Sequence, residues 1–376
     1  MVIMIAGDLV PTEVNNDLFE NGNVVSLLGK DLLSFWNSAD IRIFNLEVPL
    51  VDMEAPIDKY GPNLIASTST IKGIQALNPS LVTLANNHIM DQGIQGLIST
   101  MNILKSYNIP YVGVGENLQE ASKAYILEYD GIKIGVYACA EHEFSIATEN
   151  KPGANPFDPL ESPDHVAALK EKCDYVIVLY HGGKEHFRYP SPNLQKVCRK
   201  MVEKGADLVI CQHSHCIGCY EYYRGSTIIY GQGNFIFNKH DNEFWNTGLI
   251  VRLNIKMSFS VDYIPIIRTE KGIRLANNSE EKEIIGKFFE RSRKVIDKDF
   301  LETQYKKYAE ENIDNYLRKF IGFGKWLSRV DKHILRGLLL KTIYNKEKML
   351  VLQNYIECEA HRELIIEGIK SKVNKN

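Results

Sequence analysis

Five short segments of this sequence carry side chains able to do chemistry. They are Gly7-Asp8, Asn45-Leu46-Glu47, Asn86-Asn87-His88 followed by Asp91, His181-Gly182-Gly183 followed by Glu185 and His186, and Gln212-His213-Ser214-His215. The chain has 10 histidines, and His88, His181, His186, His213 and His215 all fall in these segments. Imidazole, carboxylate and amide oxygen together suit zinc, manganese or iron better than magnesium or calcium alone. His213 and His215 lie two apart on a loop leaving a strand, so both can turn toward one cation or toward two neighbours. An acid such as Glu47 can bridge two cations. Two metals about 4 Å apart clamp a phosphate and activate a water.

Each residue also has a plainer reading. Asp8 can cap the following loop or helix, and Glu47 can pair with Arg42 or sit in a solvated loop. Asn86 and Asn87 suit a turn. His88 can be a hydrogen-bonded core histidine, and Asp91 can cap a helix. Their joint occurrence at five strand ends favours a metal site with Asp8, Glu47, Asn87, His181, His213 and His215 as its core.

Short β-branched runs alternate with longer amphipathic ones. Residues 2–6, 41–44, 81–85, 175–179 and 208–211 read as strands, each running into one of the five segments. Helical spacing covers 16–36 with one glycine interruption, 70–77, 93–107, 162–171 with Ser162 as its cap, and 193–204 closed by Gly205. Asp130-Gly131 marks a hairpin between runs 125–128 and 133–138, and 226–267 reads as further strands. The Pro/Gly/Asn-rich stretch 150–163 reads as a loop near the site. This order implies a layered α/β domain with a mixed sheet. In a mostly parallel sheet the carboxyl ends of the strands share one edge, where ligands bind. From about residue 279 Gly and Pro thin out and Lys/Glu-rich helical patterns dominate. The expected division is therefore a domain over 1–275 and a helical extension over 276–376.

The 376 residues suffice for one large domain with an appendage, or for two domains. The formal net charge of −3 gives no global signal for nucleic acid or for an anionic membrane, and no nucleic-acid partner is expected. Met1 to Gly7 is apolar but too short for a signal-peptide core. No stretch approaches the roughly 20 uncharged apolar residues of a membrane span. On this reading the chain is cytoplasmic, reaching a membrane through partners. Seven cysteines, mostly in apolar runs, read as reduced buried thiols. Cys216 and Cys219 form one C-x-x-C with no second pair, a weak zinc or redox signal.

The motifs as an ordered set resemble the CapA family of capsule and poly-γ-glutamate biosynthesis, related to the calcineurin-like metallophosphoesterases. The residues that carry the resemblance are Asn45-Leu46-Glu47, Asn86-Asn87-His88 with Asp91 and Gly93, His181-x-Gly-x-Glu185, His213-Ser214-His215 and Gly233-Asn234-Phe235, within about 1–267. The resemblance implies a four-layer sandwich, two mixed sheets between helices. It implies one or two divalent metal ions (Mn, Zn or Fe) on Asp8, a bridging Glu47, Asn87, His181, His213 and His215. It implies His88 as general acid or transition-state stabiliser, tuned by Asp91, with Glu185 as a residue supporting the ligands from behind, a base or a substrate contact. Asn45, Asn86 and Asn234 are expected at the substrate. Two positions depart from the pattern. Val10 stands where the phosphoesterases have a second histidine, which leaves one metal subsite poorer. Cys211-Gln212 stands where a Gly-His often precedes the last two ligands.

The function so implied is a bacterial metal-dependent hydrolase-like protein, acting on a phosphoester or amide of an anionic polymer precursor. A non-catalytic scaffold working beside polymer synthases is the first alternative. A nucleotide phosphatase unrelated to capsule is the second.

Overall fold

A computed structural model of the chain describes residues 1–239, 242–255 and 259–373. The chain opens with β1 (Val2–Leu9), α1 (Asn16–Glu20), α2 (Val24–Asn37), β2 (Ile41–Leu46), α3 (Ile71–Ala76), β3 (Leu81–Thr83) and α4 (Gly93–Ser106). It continues with β4 (Tyr111–Val112), β5 (Val114–Gly115), α5 (Leu118–Ala121), β6 (Tyr125–Tyr129), β7 (Ile132–Ala140), β8 (Gly153–Ala154), α6 (Glu161–Lys170), β9 (Tyr175–His181) and α7 (Pro192–Glu203). Then come β10 (Leu208–Gln212), β11 (Tyr220–Tyr223), β12 (Ser226–Tyr230), β13 (Thr247–Ile255), β14 (Phe259–Arg268), β15 (Ile273–Leu275) and α8 (Asn278–Val295). The helices α9 (Lys298–Phe320), α10 (Lys325–His333), α11 (Leu338–Ile343), α12 (Lys346–Glu357) and α13 (Glu359–Val373) follow.

Among the described residues the strands form a seven-stranded sheet in the order β15-β14-β13-β1-β2-β3-β4, a six-stranded sheet in the order β11-β12-β10-β9-β7-β6, and the small pair β5-β8. Both large sheets are mixed. The strands β1 to β4 run parallel, with β13 antiparallel to β1. The strands β7, β9, β10 and β12 run parallel, with β6 and β11 antiparallel at the edges.

Strand alternation builds three apolar layers from these two sheets. In β1, Ile3 and Ile5 face one way and pack with Ile41, Ile43, Leu81, Ile134, Val136, Ile177, Leu179, Leu208 and Ile210 between the sheets. Met4 and Ala6 face the other way, against Leu27, Leu28, Leu32, Trp36, Leu97 and Leu104 of α2 and α4. On the far side of the second sheet, Val176, Val178 and Val209 pack against Val166, Leu169, Leu194, Cys198 and Met201 of α6 and α7. The result is the four-layer helix–sheet–sheet–helix sandwich that the resemblance implied.

The local chemistry explains several boundaries. The interruption expected in 16–36 falls in two places: α1 and α2 are separate, and Gly29 inside α2 sits at φ 70°. Asp130 and Gly131 both adopt positive φ, 50° and 77°, as the tight β6–β7 hairpin requires. α7 is capped by Ser191, whose hydroxyl accepts from the Leu194 N–H, with Pro192 in its first turn. Ser162 does not cap α6. It lies one residue inside, and Asp158 instead accepts the Leu160 and Glu161 N–H groups, because a carboxylate three positions before the helix reaches those orphan donors.

The first compact unit is Met1–Glu302, and the second starts at Thr303. α8, expected in the helical extension, lies in the first unit. An Asn277/Glu280 capping box starts it, and its Phe288 is buried with Ile217 and Leu249. In the second unit Leu317 and Leu340 are buried, and Arg318 donates to the buried Asp331 at 3.0 Å. The helices α12 and α13 bury no residue among those described.

Candidate metal centre

The five polar segments come together, but not along one sheet edge. Asp8 lies near the end of β1, and Glu47 and Asn87 follow β2 and β3 of the seven-stranded sheet, while His181 is the last residue of β9, and His213 and His215 follow β10 of the six-stranded sheet. The expectation of a single shared edge is thus corrected: the site lies where the carboxyl ends of two facing sheets meet.

On the first side, the β1–β2 register shifts between Ile5 and Asp8, a bulge-like irregularity that places Asp8 beside Asn45. The turn carrying Asn234 crosses close by. Phe235 N–H donates to the Asp8 carbonyl at 2.9 Å, and a Cβ on Gly7 would stand 2.0 Å from the Gly233 carbonyl oxygen. Only glycine tolerates that approach. On the second side, His181 ends β9 opposite Gln212 of β10. His213 and His215 both lie in the left-handed region, φ 83° and 51°. That backbone costs on the order of 1–3 kcal/mol per residue and persists only where the surroundings enforce it. Here the His213 N–H donates to Asp8 Oδ2 at 3.2 Å.

The side chains form two overlapping groups. Glu47, His181 and His213 each offer one ligand atom within 4.8 Å of the others, and so do Asp8, Glu47 and His215. Glu47 belongs to both. Around His181 Nε2 stand Asn87 Oδ1 at 3.0 Å, Glu47 Oε1 at 3.2 Å and His213 Nδ1 at 3.2 Å. Ligand atoms held about 2.1 Å from one cation are about 3.0–3.4 Å apart, so this spacing suits a shared divalent ion.

Electrostatics supplies an independent test of fit. Glu47 is 0% exposed, and neither carboxylate oxygen accepts a hydrogen bond from the protein. Burial, aided by Glu185 and Asp91, pushes its carboxyl from 4.5 up to about 8. Burial and the Glu47 charge raise Asp8 from 3.8 to about 7. Burial lowers His181, drives His213 well below its usual 6.5, and takes His215 to about 3, so these rings are neutral and able to ligate. A buried carboxylate without donors, as Glu47 is, beside neutral imidazoles is a poor arrangement for protein alone and a good one around a cation.

The remaining expected residues divide by burial. Asn45 and Asn86, expected at the substrate, are fully buried and engaged by protein. Asn45 donates to Asp8 Oδ1 at 2.8 Å and lies 3.3 Å from His181 Nδ1, while Asn86 donates to Asn45 and to the Leu46 carbonyl. Their carboxamides are thus engaged with Asp8, His181 and the backbone around them. Asn234 is buried too, with its Oδ1 2.8 Å from His215 Nδ1, so it fixes that ring. His88 is partly exposed, and its Nδ1 lies 2.6 Å from Asp91 Oδ2. Asp91 therefore serves His88 and the Leu64 N–H rather than the start of α4. Glu185 is partly exposed, close enough to raise Glu47 and His181.

Residues absent from the sequence reading also reach the centre. Glu143 accepts from Asn87 Nδ2 at 3.2 Å and so turns Asn87 Oδ1 toward His181. Ser145 donates to the Asn87 carbonyl at 2.6 Å. Glu141 accepts the Gly183 N–H at 3.0 Å. The turn at 141–145 thus reaches the site, and the stretch 150–163 packs on that turn, the Ala154 N–H donating to the Ser145 carbonyl at 2.7 Å. Lys59 donates to Asp91. Val10 is buried in the helix-side core. Aromatic rings stand beside His215, Trp245 at 4.5 Å and Phe237 at 5.6 Å between centroids. Cys216 and Cys219 are buried free thiols, and neither joins a ligand group among the described residues.

The two sheets of the four-layer sandwich thus close on a cluster of carboxylates and neutral imidazoles whose donor set could hold a divalent cation. Residues 2–239 match the family described as bacterial capsule synthesis protein PGA_cap, and the chain belongs to it. A "Capsule biosynthesis protein CapA" of Bacillus anthracis is 28% identical over 183 residues, 47% of this chain and 44% of that one. A "PGA biosynthesis protein CapA" of Bacillus subtilis is 29% identical over 180 residues, 47% of each chain. A "Probable polyglutamine synthesis accessory protein" of Mycobacterium tuberculosis is 28% identical over 222 residues, 55% of this chain and 58% of that one. The chain spans about half the length of these curated relatives. Among solved structures, a phosphatase of Mycoplasma pneumoniae aligns at 14% identity and TM-score 0.42, covering 73% of this chain and 90% of that one.

Proposed function

We propose that this chain is a metal-dependent hydrolase of exopolymer synthesis, cleaving a phosphoester or amide bond in a capsule or poly-γ-glutamate-like precursor. The observation that carries the reading is Glu47: a wholly buried carboxylate, shared by two ligand groups, with no protein donor for either oxygen. Asn87, His181 and His213 would hold one Mn, Zn or Fe ion with Glu47. Asp8 and His215 would hold a second with it. A divalent cation in this set supplies Lewis acidity toward the substrate oxygen and acidifies water.

The protein's own groups do the rest. Asp8, His181, His213 and His215 are preset as neutral or metal-matched donors by burial. Asn45, Asn234 and Glu143 fix the orientation of Asp8, His215 and Asn87. His88, partly exposed beside Glu47 and oriented by Asp91, is placed to pass a proton to the leaving group. Glu185 stands at the mouth as a further acid or base. His88→Ala should keep the metal content while lowering turnover by about 10²–10⁴-fold. Metal analysis with a Mn²⁺/Zn²⁺-supplemented screen of phosphodiesters and γ-glutamyl amides tests this, and unchanged turnover in His88→Ala removes the role.

A second reading is favoured by α12 and α13. Leu364, Ile366, Ile369 and Val373 of α13, with Leu350 and Val351 of α12, are exposed apolar side chains, as expected of a subunit that docks on a polymer synthase. Metal binding without hydrolysis of any substrate in the screen would support that reading. Among the described residues no helix is long and apolar enough to cross a membrane.

A further inference from the structure

Lys59 lies on the loop between β2 and α3. Its neighbours Asp58 and Tyr60 are exposed, yet its own side chain is only 3% exposed. The Nζ donates to Asp91 Oδ1 and lies 3.3 Å from His88 Nδ1. Asp91 Oδ2 meanwhile receives the Leu64 N–H at 2.6 Å and faces His88 Nδ1 at 2.6 Å. An ionised carboxylate only accepts and an ammonium only donates. The short contact between His88 and Asp91 therefore requires the proton on Nδ1, which leaves Nε2 as the ring atom available for chemistry.

We propose that Lys59 is a positioning residue of this site, pinning the Asp91 carboxylate so that His88 keeps its Nδ1–H form and offers Nε2 to the substrate. The proposal deepens the hydrolase reading and rests on it for its kinetic part alone. Without Lys59, Asp91 keeps the Leu64 N–H as a donor, and its carboxylate gains freedom to turn about the Cβ–Cγ bond and away from His88. The ring then loses the feature that selects one tautomer. The loop does not depend on Lys59 for its place. Ala55 N–H donates to Gln92 Oε1 at 2.7 Å, Ile57 N–H to the Asp91 carbonyl at 3.1 Å, and Gln92 Nε2 to the Leu64 carbonyl at 3.0 Å. Removing the ammonium thus separates charge and orientation from loop anchoring.

The test uses the full chain with ¹⁵N-histidine, comparing Lys59→Met, Lys59→Gln and Lys59→Arg. Long-range ¹H–¹⁵N correlation reads the His88 tautomer without substrate or metal. The Leu64 amide signal and the melting temperature show whether the loop and fold are intact, and Lys59→Gln replaces Lys59→Met if the latter fails to fold. The wild type is expected to show the Nδ1–H form, the neutral variants a mixture, and Lys59→Arg the wild-type pattern. With Mn²⁺ and bis(p-nitrophenyl) phosphate, the neutral variants should lose about 10–100-fold in kcat with metal content unchanged. In a His88→Ala background the same change should alter kcat less than about twofold, because the two residues act as one unit. An unchanged His88 spectrum in the neutral variants overturns the proposal, as does an undiminished kcat loss in the His88→Ala background. A tautomer change in a protein whose wild type hydrolyses nothing sinks the hydrolase reading and leaves the Lys59 assignment standing.

Discussion

Substituting Glu47 should stabilise the metal-free protein and destabilise the metal-loaded one. Buried without donors, Glu47 titrates near 8 when folded, against an ordinary 4.5. Between those values the folded chain holds a proton that the unfolded chain has released. Stability from this group is therefore intact in acid and falls as pH rises through the window. At 1.36 kcal/mol per unit, its loss between pH 6 and 8 comes to about 2 kcal/mol. Asp8, raised to about 7, adds to the fall in the same direction. The depressed histidines do not offset it there, since above about pH 6.5 they are neutral in both states. Glu47→Gln removes the ionisation. In EDTA the variant should match or exceed the wild type, with a gap that widens by about 2 kcal/mol from pH 6 to 8, a few degrees in melting temperature. Saturating Mn²⁺ or Zn²⁺ should reverse the order. At 100 times the dissociation constant, metal adds about 2.7 kcal/mol to the wild type, while the variant has lost the ligand shared by both groups. Calorimetric or fluorescence melts at pH 6, 7 and 8, with and without metal, decide the matter. A variant less stable than wild type in EDTA at pH 8 would show that Glu47 has a protein partner, and the argument for a cation would collapse.

Other consequences are open to simple measurement. His213→Ala should abolish tight binding in the group with Glu47 and His181, whereas His215→Ala should leave about one ion per chain by elemental analysis, since Asn87 supplements only the former. Equal loss in both variants would contradict two separable groups. Gly7→Ala drives a methyl into the Gly233 carbonyl, and should lower stability by at least about 1–3 kcal/mol in denaturant melts and disturb Asp8. In the helical unit, Asp331→Ala leaves the Arg318 guanidinium with Asp314 at 3.8 Å in place of its closer partner and takes the acceptor from the Leu339 N–H, at a cost of about 3 kcal/mol. Proteolysis within the region from Thr303 onward should accelerate while the metal content of the first unit stays the same.

The sequence displayed the strands of the sandwich and the ligand cluster because both rest on local signals. Alternating β-branched residues before Asp8, Glu47, His181 and His213 fix where each strand ends, and histidine is rare enough for its concentration to stand out. That one strand set splits into two sheets left no such mark, since Ile3 and Met4 read alike although one faces the other sheet and one faces helices. The fates of Asn45 and Asn86 were hidden for a related reason. An asparagine that orients a ligand and one that touches a substrate have the same neighbours in sequence. Lys59, Glu141 and Glu143 lie in loops without periodicity, among many other charged residues, and only tertiary contact distinguishes them. Ser162 shows the opposite error, a favourable capping residue overruled by Asp158 four positions earlier.

The division of the candidate ligands between two sheets also sets a timetable. Asp8 and His213 touch across 205 positions of sequence, so the centre does not exist until more than half the chain has left the ribosome. Until then the seven-stranded sheet lacks both its partner layer and its late strands β13 to β15, and the isoleucines Ile3, Ile5, Ile41 and Ile43 have nothing to cover them. Long-range pairing of this kind is slow and exposes sticky surface meanwhile. A cation held at this centre would therefore be acquired only after both sheets are made, and in its absence the two sheets would be held by their packing and by direct bonds such as that from the His213 N–H to Asp8.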